Sequence, residues 1–263
     1  MSQIHLSKLI SSNSLKLTIK TIGVDFGWVS GASGLCCLEW RDNELHILNI
    51  TTKLELAEVF DWLNEWVFPQ ESAIVAVDAP TIIPNQKGTR LPDRLTHKYF
   101  GKYHAGCYPA NLNRPFANRT VSFGNELRKK GFLHAPTITP QKPGRYQIEV
   151  FPHPAIVHLF GLEKILKYKK GKLADKKQEL VLLRNYIVTV LSRLEPKLCL
   201  TENTALPNPE DSVTGKTLKA IEDKLDSLIC AYVAAYWWYW GERKNMVLGD
   251  ETEGYIVVPK RYL

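Results

Sequence analysis

The chain lacks a long apolar segment. Its longest apolar run, Leu228 to Trp240, has 13 residues, whereas a membrane-spanning helix needs about 20. We interpret this run as a buried helix and expect no membrane partner. The polar start, Met1 to Asn13, has no apolar stretch typical of a signal peptide, so we expect a cytoplasmic protein.

Cysteine is scarce and irregularly spaced. The five cysteines are an odd number, and no Cys-x-x-Cys pair occurs, which argues against both a disulfide framework and a zinc site of paired cysteines. We expect reduced thiols. The G-x-G-x-x-G fingerprint is also missing, so dinucleotide binding is not supported.

The composition is that of a folded protein. The 263 residues are 44% hydrophobic and 10% aromatic, which excludes a disordered chain and is enough for one sizeable core. We predict a polar N-terminal tail over residues 1–14 and a single domain over residues 15–263.

The first third of the chain predicts an antiparallel meander. Three short runs rich in branched residues, Leu15 to Phe26, Gly34 to Trp40 and Glu44 to Thr51, are joined by turn residues. Leu54 to Val67 has helical periodicity, and the continuous apolar run Ala73 to Val77 is typical of a central strand.

The remaining elements predict an α/β protein. Tyr146 to Phe151 reads as a strand leading into a helix that ends near Leu159, and Ala174 to Leu194 and Thr217 to Trp240 are predicted helices. Gly254 to Val258 is predicted to form a short terminal strand. We therefore predict a mixed sheet, with three antiparallel strands and then parallel strands, flanked by helices.

Residues 84–145, the basic insertion, interrupt this pattern. They contain 12 basic and two acidic residues and seven of the 15 prolines. Their net charge of +10 exceeds the +7 of the whole chain, so the rest is mildly acidic. The interleaved aromatic residues would either stack on bases or form a small local core. Six candidates for binding phosphates are Arg90, Arg94, Lys98, Lys102, Arg114 and Arg119; the first four have helical spacing.

Two acids end predicted strands. Asp25 follows the first apolar strand, and Asp78 follows Ala73 to Val77. Ligands gather at the carboxyl ends of strands in α/β sheets. Either residue alone is more typical of a turn cap. The pair together favours a shared cation or a catalytic site.

The last long helix and one later strand carry further acids. Asp226 shares a face with apolar residues and should point toward the sheet, Asp223 lies nearer the edge of that face, and Glu222 is typical of a solvated helix start. Glu149, in the strand from Tyr146, either joins the same site or pairs with a basic residue of the insertion.

Several of these segments resemble a known family. The chain is similar, from about Ile22 to Trp238, to the predicted ribonuclease H-like nucleases grouped as domain of unknown function 429. The similar segments are Gly23 to Trp28, Ala76 to Pro80, His104 to Asn111, Glu149 to Pro152 and Leu225 to Tyr232.

The resemblance implies a ribonuclease H-like fold and a metal-dependent nuclease. In such nucleases strand-end and helix acids hold two divalent ions, and the matching positions here are Asp25, Asp78 and Asp226, with Glu149 or Asp223 as auxiliary groups. Carboxylates prefer Mg²⁺ or Mn²⁺, so we expect one of these cofactors, with nucleic acid as partner.

Two other functions remain open. The actin and sugar-kinase phosphotransferases share this fold, although they usually duplicate it, and a nucleic-acid-binding module could keep the fold without catalysis. The sequence does not indicate the oligomeric state.

Overall fold

The computed structural model describes residues 18–29, 31–201 and 204–261. The predicted tail 1–14 lies outside the described residues. One sheet and the helices on its two faces form the core of the described part of the chain. The strands of the sheet are β1 (Ile19–Asp25), β2 (Ser33–Arg41), β3 (Glu44–Lys53), β4 (Ala73–Val77), β5 (Leu133–His134), β6 (Arg145–Glu149) and β7 (Leu198–Cys199).

The strand order is β5-β6-β4-β1-β2-β3-β7. β1, β2 and β3 pair antiparallel, whereas β4 pairs parallel with both β1 and β6. Every residue of β4 is buried, as expected for a central strand covered on both faces. The predicted mixed α/β fold is confirmed, and its strand order is consistent with a ribonuclease H-like fold.

Helices cover both faces of the sheet. They are α1 (Leu56–Trp66), α2 (Leu91–Phe100), α3 (Ala117–Lys129), α4 (Pro152–Leu159), α5 (Leu173–Tyr186) and α6 (Gly215–Trp240). α1 and α3 pack on one face, and α4, α5 and α6 pack on the other. α5 continues into a wider π-helical turn, Ile187–Leu191. No helix in the described ranges combines the length and apolarity needed to cross a membrane.

The basic insertion has two structural parts. Its second half includes α3, whose buried Phe123 and Leu127 pack on the core, so this helix is part of the crossover from β4 to β6. Its first half includes α2, which packs on a hairpin formed by β8 (Asn245–Asp250) and β9 (Gly254–Pro259). Only β9 of this hairpin is predicted by the sequence.

Two glycines let α6 lie directly on the sheet. A β-carbon on Gly23 of β1 would clash with the backbone oxygen of Ser227 and the backbone nitrogen of Ala231, and one on Gly34 of β2 would clash with the backbone of Asp223. Because these two glycines have no side chain, the first half of α6 lies close to the end of β1, where Asp25 is.

Replacing Gly23 with alanine is expected to destabilise the fold by about 3 kcal/mol, because the clash is with helix backbone that cannot rotate away. Urea denaturation measures the change. Gly101→Ala is the control, since a β-carbon there meets nothing within 4 Å and the residue has ordinary helical φ. Equal denaturation midpoints for the two variants would contradict the close packing of β1 and α6.

Candidate functional site

The carboxyl groups of Asp25 and Asp78 lie side by side at one edge of the sheet. Asp25 is the last residue of β1, and Asp78 directly follows β4, which runs parallel to β1. The backbone N–H of Asp78 donates to the oxygen of Val24 over 2.8 Å, which fixes the register of the two strand ends. Both acids are buried, and their carboxyl groups are close enough to hydrogen bond.

Asp226 brings a third carboxylate to the same place from α6. Its side chain is fully buried. The Tyr168 hydroxyl donates to its Oδ1 over 2.8 Å, and Lys169 Nζ lies 2.8 Å from its Oδ2. We call Asp25, Asp78 and Asp226 the acid cluster. It is the convergence that the sequence predicts for strand ends and the late helix.

Burial and repulsion from neighbouring carboxylates raise the pKa values of Asp25 and Asp78. Burial raises the pKa of Asp78 to about 7; the Lys169 ammonium opposes this shift, and Asp226 adds to it. Burial also raises the pKa of Asp25 well above its usual range, again against the charge of Lys169 and with the help of Asp226. Burial would lower the pKa of Lys169, but Asp226 and Asp25 outweigh it and raise that pKa. The surroundings of Asp25 and Asp78 therefore disfavour negative charge on these two groups unless a cation is near.

Asp223 and Glu222 lie one turn before Asp226 and share one lysine. Lys219 Nζ is 2.7 Å from Asp223 Oδ1 and 2.6 Å from Glu222 Oε1. Both acids are buried, so Glu222 is not the solvated residue that the sequence suggests. The charge of Asp223 contributes to the raised pKa of Asp25, which places Asp223 beside the cluster but in an ion pair of its own.

Glu149 pairs with a basic residue of the insertion. Arg90 grips its carboxylate with two hydrogen bonds, of 2.9 Å to Oε2 and 2.7 Å to Oε1. The same guanidinium lies 2.8 Å from Asp93 Oδ1. The structure thus contains the predicted ion pair, and Glu149 also lines the same cavity as Asp25 and Asp78. Arg90, Asp93 and Glu149 are all buried.

A cavity of about 340 Å³ opens at this edge of the sheet. Its floor includes Asp25 and Asp78, and Lys169 and Lys219 add positive charge to its wall. Aromatic side chains supply much of the remaining wall. They are Phe26, Trp28, Tyr108 and Phe151. The arrangement can hold a cation on two carboxylates and can accept an anionic, partly aromatic ligand above them.

A family model described as Protein of unknown function (DUF429) matches residues 23–253. The chain belongs to this family. The match includes the acid cluster and the whole basic insertion. No curated protein and no solved structure gave a significant match.

Arg90 of this DUF429 protein does not lie on the exposed basic face that the helical spacing predicts. It is 2% exposed, because it caps the start of α2 and forms an ion pair with Glu149 and Asp93. Burial would lower its pKa, but the charges of the two acids outweigh burial and raise it. Spacing alone cannot distinguish a buried cap residue from the exposed residues one turn later.

The other basic candidates remain accessible. Arg94, Lys98 and Lys102 are exposed. Two half-buried arginines lie near the cavity wall: the Arg114 guanidinium lies 4.8 Å from the centre of the Tyr108 ring, and Arg119 donates to the backbone oxygen of Gly27 over 2.9 Å. None of these five residues lines the cavity, but Arg114 contacts Tyr108 and Arg119 contacts Phe26, which do.

Sequence reasoning missed the residues that contact the acid cluster from outside the strands. Lys169 lies in a run of seven lysines between Lys164 and Lys177, which is typical of a solvated connector. His153 also lines the cavity; its Nδ1 is buried without a hydrogen-bond partner, and burial lowers its pKa to about 4. Leu166 and Tyr168, both buried in the core, are the weak sequence signals that this connector returns to the core.

A separate group of possible metal ligands lies on β3 and β7, the last two strands at one end of the sheet. Within the described residues, ligand atoms of Glu44, His46 and Cys199 lie within 4.8 Å of one another where β3 pairs with β7. Glu44 is already paired with Lys197 over 2.6 Å. This DUF429 protein thus needs no ion there to neutralise the carboxylate.

Replacing Asp78 with asparagine is expected to stabilise the metal-free protein increasingly between about pH 4 and about pH 7. Because burial raises the pKa of Asp78 from 3.8 to about 7, the native state keeps a proton that the unfolded state releases in this range. Rising pH therefore disfavours folding through this group, and asparagine removes the effect. The increase in the free energy of unfolding on replacing Asp78 with asparagine should be larger at about pH 8 than at about pH 5, by more than about 1 kcal/mol.

Urea denaturation of both proteins in a chelator at the two pH values measures this difference. Asp61→Asn, an exposed change on α1, is the matched control and should give no pH-dependent gain. A gain for Asp78→Asn that is the same at both pH values would contradict the raised pKa.

Proposed function

We propose that this protein is a metal-dependent nuclease or phosphodiesterase that cleaves a nucleic-acid backbone. The observation that carries the proposal is the convergence of Asp25, Asp78 and Asp226, three acids from two strand ends and a helix, beside one cavity. Such a cluster raises the free energy of the folded protein. A cation-dependent function accounts for its presence.

The donors of this site fit Mg²⁺ or Mn²⁺. Asp25 and Asp78 offer hard oxygen ligands on the cavity floor, and these two residues would hold the ion. When bound, it supplies Lewis-acid stabilisation of charge on phosphate oxygens. Lys169 forms an ion pair with Asp226, and Lys219 forms one with Asp223. Both lysines line the cavity.

The basic insertion supplies the surface for the substrate. Arg94, Lys98 and Lys102 would neutralise backbone phosphates, and Tyr108, which is 59% exposed, would stack an unpaired base. The five cysteines are unpaired, which agrees with the proposal that the protein works in the reducing cytoplasm.

The test is cleavage of labelled single-stranded, duplex, hybrid and branched substrates by purified protein with Mn²⁺, with a chelator as the blank. We expect metal-dependent cutting of at least one substrate. Two other outcomes would favour the alternatives. Transfer of phosphate from ATP to a small metabolite would indicate a phosphotransferase, and salt-sensitive binding without cutting under any metal would indicate a binding module.

A further inference from the structure

Lys169 occupies the position of a cation within the acid cluster. Its Nζ lies 2.8 Å from Asp226 Oδ2, and it is also the main positive charge acting on Asp25 and Asp78. Its side chain is 31% exposed, whereas Asp226 is fully buried. The ammonium thus lies between the buried acid and the cavity.

Both oxygens of Asp226 lie against a protein group, although Oδ2 accepts no hydrogen bond. Oδ1 accepts the Tyr168 hydroxyl and Oδ2 faces the Lys169 ammonium. Asp226 does not line the cavity, whereas Asp25, Asp78 and Lys169 do. A metal ion that enters the cavity therefore meets the two carboxyl groups that are not paired with Arg90, those of Asp25 and Asp78, and the ammonium of Lys169 beside them. The other ammonium on the wall, that of Lys219, is paired with Asp223.

The charges of these groups suit one divalent ion. Lys169 neutralises one of the three carboxylates, and a single divalent ion neutralises the other two. A second ion between Asp25 and Asp226 would have to displace the ammonium or lie against it, and like charges at such short range repel strongly where water is scarce.

We propose that the site binds one divalent ion, on Asp25 and Asp78, and that Lys169 serves as the second positive charge and contacts a substrate phosphate oxygen. An ammonium has three N–H donors, so an Nζ paired with Asp226 keeps donors for a ligand in the cavity. This proposal rests on the proposed function and departs from the two-ion arrangement that the family resemblance implies.

The first test counts bound Mn²⁺ by electron paramagnetic resonance on the full chain without nucleic acid. We expect one ion per chain in the wild type and in Lys169→Arg, which keeps the charge. Lys169→Met should bind a second ion, and Lys170→Met, its exposed neighbour, should bind one. Two ions in the wild type would overturn the proposal, even if Lys169→Met failed to fold.

The second test measures the binding of inorganic phosphate by phosphorus NMR at one Mg²⁺ per chain, so that the second ion expected in Lys169→Met is not supplied. Lys169→Met should weaken binding by about tenfold, the size of one lost charge-assisted contact, and Lys170→Met should not. Unchanged binding in Lys169→Met would overturn the phosphate contact. If the wild type binds one ion and phosphate as expected but cuts no nucleic acid, the proposed function fails and the one-ion site stands.

Discussion

Asp25→Asn is expected to lower the rate of nucleic-acid cleavage by at least about 10²–10³-fold, while the affinity for the substrate changes little. The substitution keeps the size of the side chain but removes one of the two cavity-lining carboxylates that are not paired with Arg90. Substrate affinity should persist because the exposed basic residues of the insertion, such as Lys98 and Lys102, are unchanged. Cleavage rates and salt-dependent binding, measured on the substrate that the wild type cuts best, separate the two effects.

The same variant should be more stable than the wild type in a chelator. Burial raises the pKa of Asp25 well above its usual range, so the charged carboxylate opposes folding near neutral pH and the neutral amide does not. Loss of activity together with a gain in melting temperature cannot come from misfolding. Asp61→Asn should change neither property. Retained cutting in Asp25→Asn would contradict the site.

The sequence predicts the acid cluster because each of its members lies at the end of, or within, a strongly apolar pattern. Asp25 and Asp78 each follow an unbroken apolar strand, and Asp226 lies on the apolar face of a helix that is buried along most of its length. Parallel pairing then places both strand ends at one edge. These features depend on local periodicity, which is readable from one chain.

The partners of the acids depend on the path of irregular segments, which has no periodicity. The sequence offers seven lysines between Lys164 and Lys177 that could pair with Asp226. Lys169 is the one that does so because its neighbour Tyr168 is buried and hydrogen-bonded to Asp226, which the sequence alone does not show. β5 and β7 have two residues each, too few for an alternating pattern to be visible. The burial of Arg90 follows from Glu149, 59 positions later, and no local rule connects them.

This long-range ion pair makes Arg90 the residue of the insertion whose loss should harm stability most. Arg90→Met is expected to destabilise the fold by about 3–5 kcal/mol, because it leaves the carboxylates of Glu149 and Asp93 buried without their cation. It also removes the donor that ties the start of α2 to the backbone oxygen of Ile82 over 2.8 Å.

Lys98→Met is the matched control, since Lys98 is exposed on the same helix, and its stability should stay within about 0.5 kcal/mol of the wild type. For nucleic-acid binding, the roles of the two variants should be reversed. Lys98→Met should weaken binding and reduce its dependence on salt, because an exposed phosphate contact is lost.

Arg90→Met, measured at a temperature where it is folded, should bind nucleic acid with the salt dependence of the wild type. Equal urea midpoints for the two variants would contradict a buried Arg90. A reduced salt dependence in Arg90→Met would instead place its guanidinium on the phosphate-binding face, where helical spacing alone would put it.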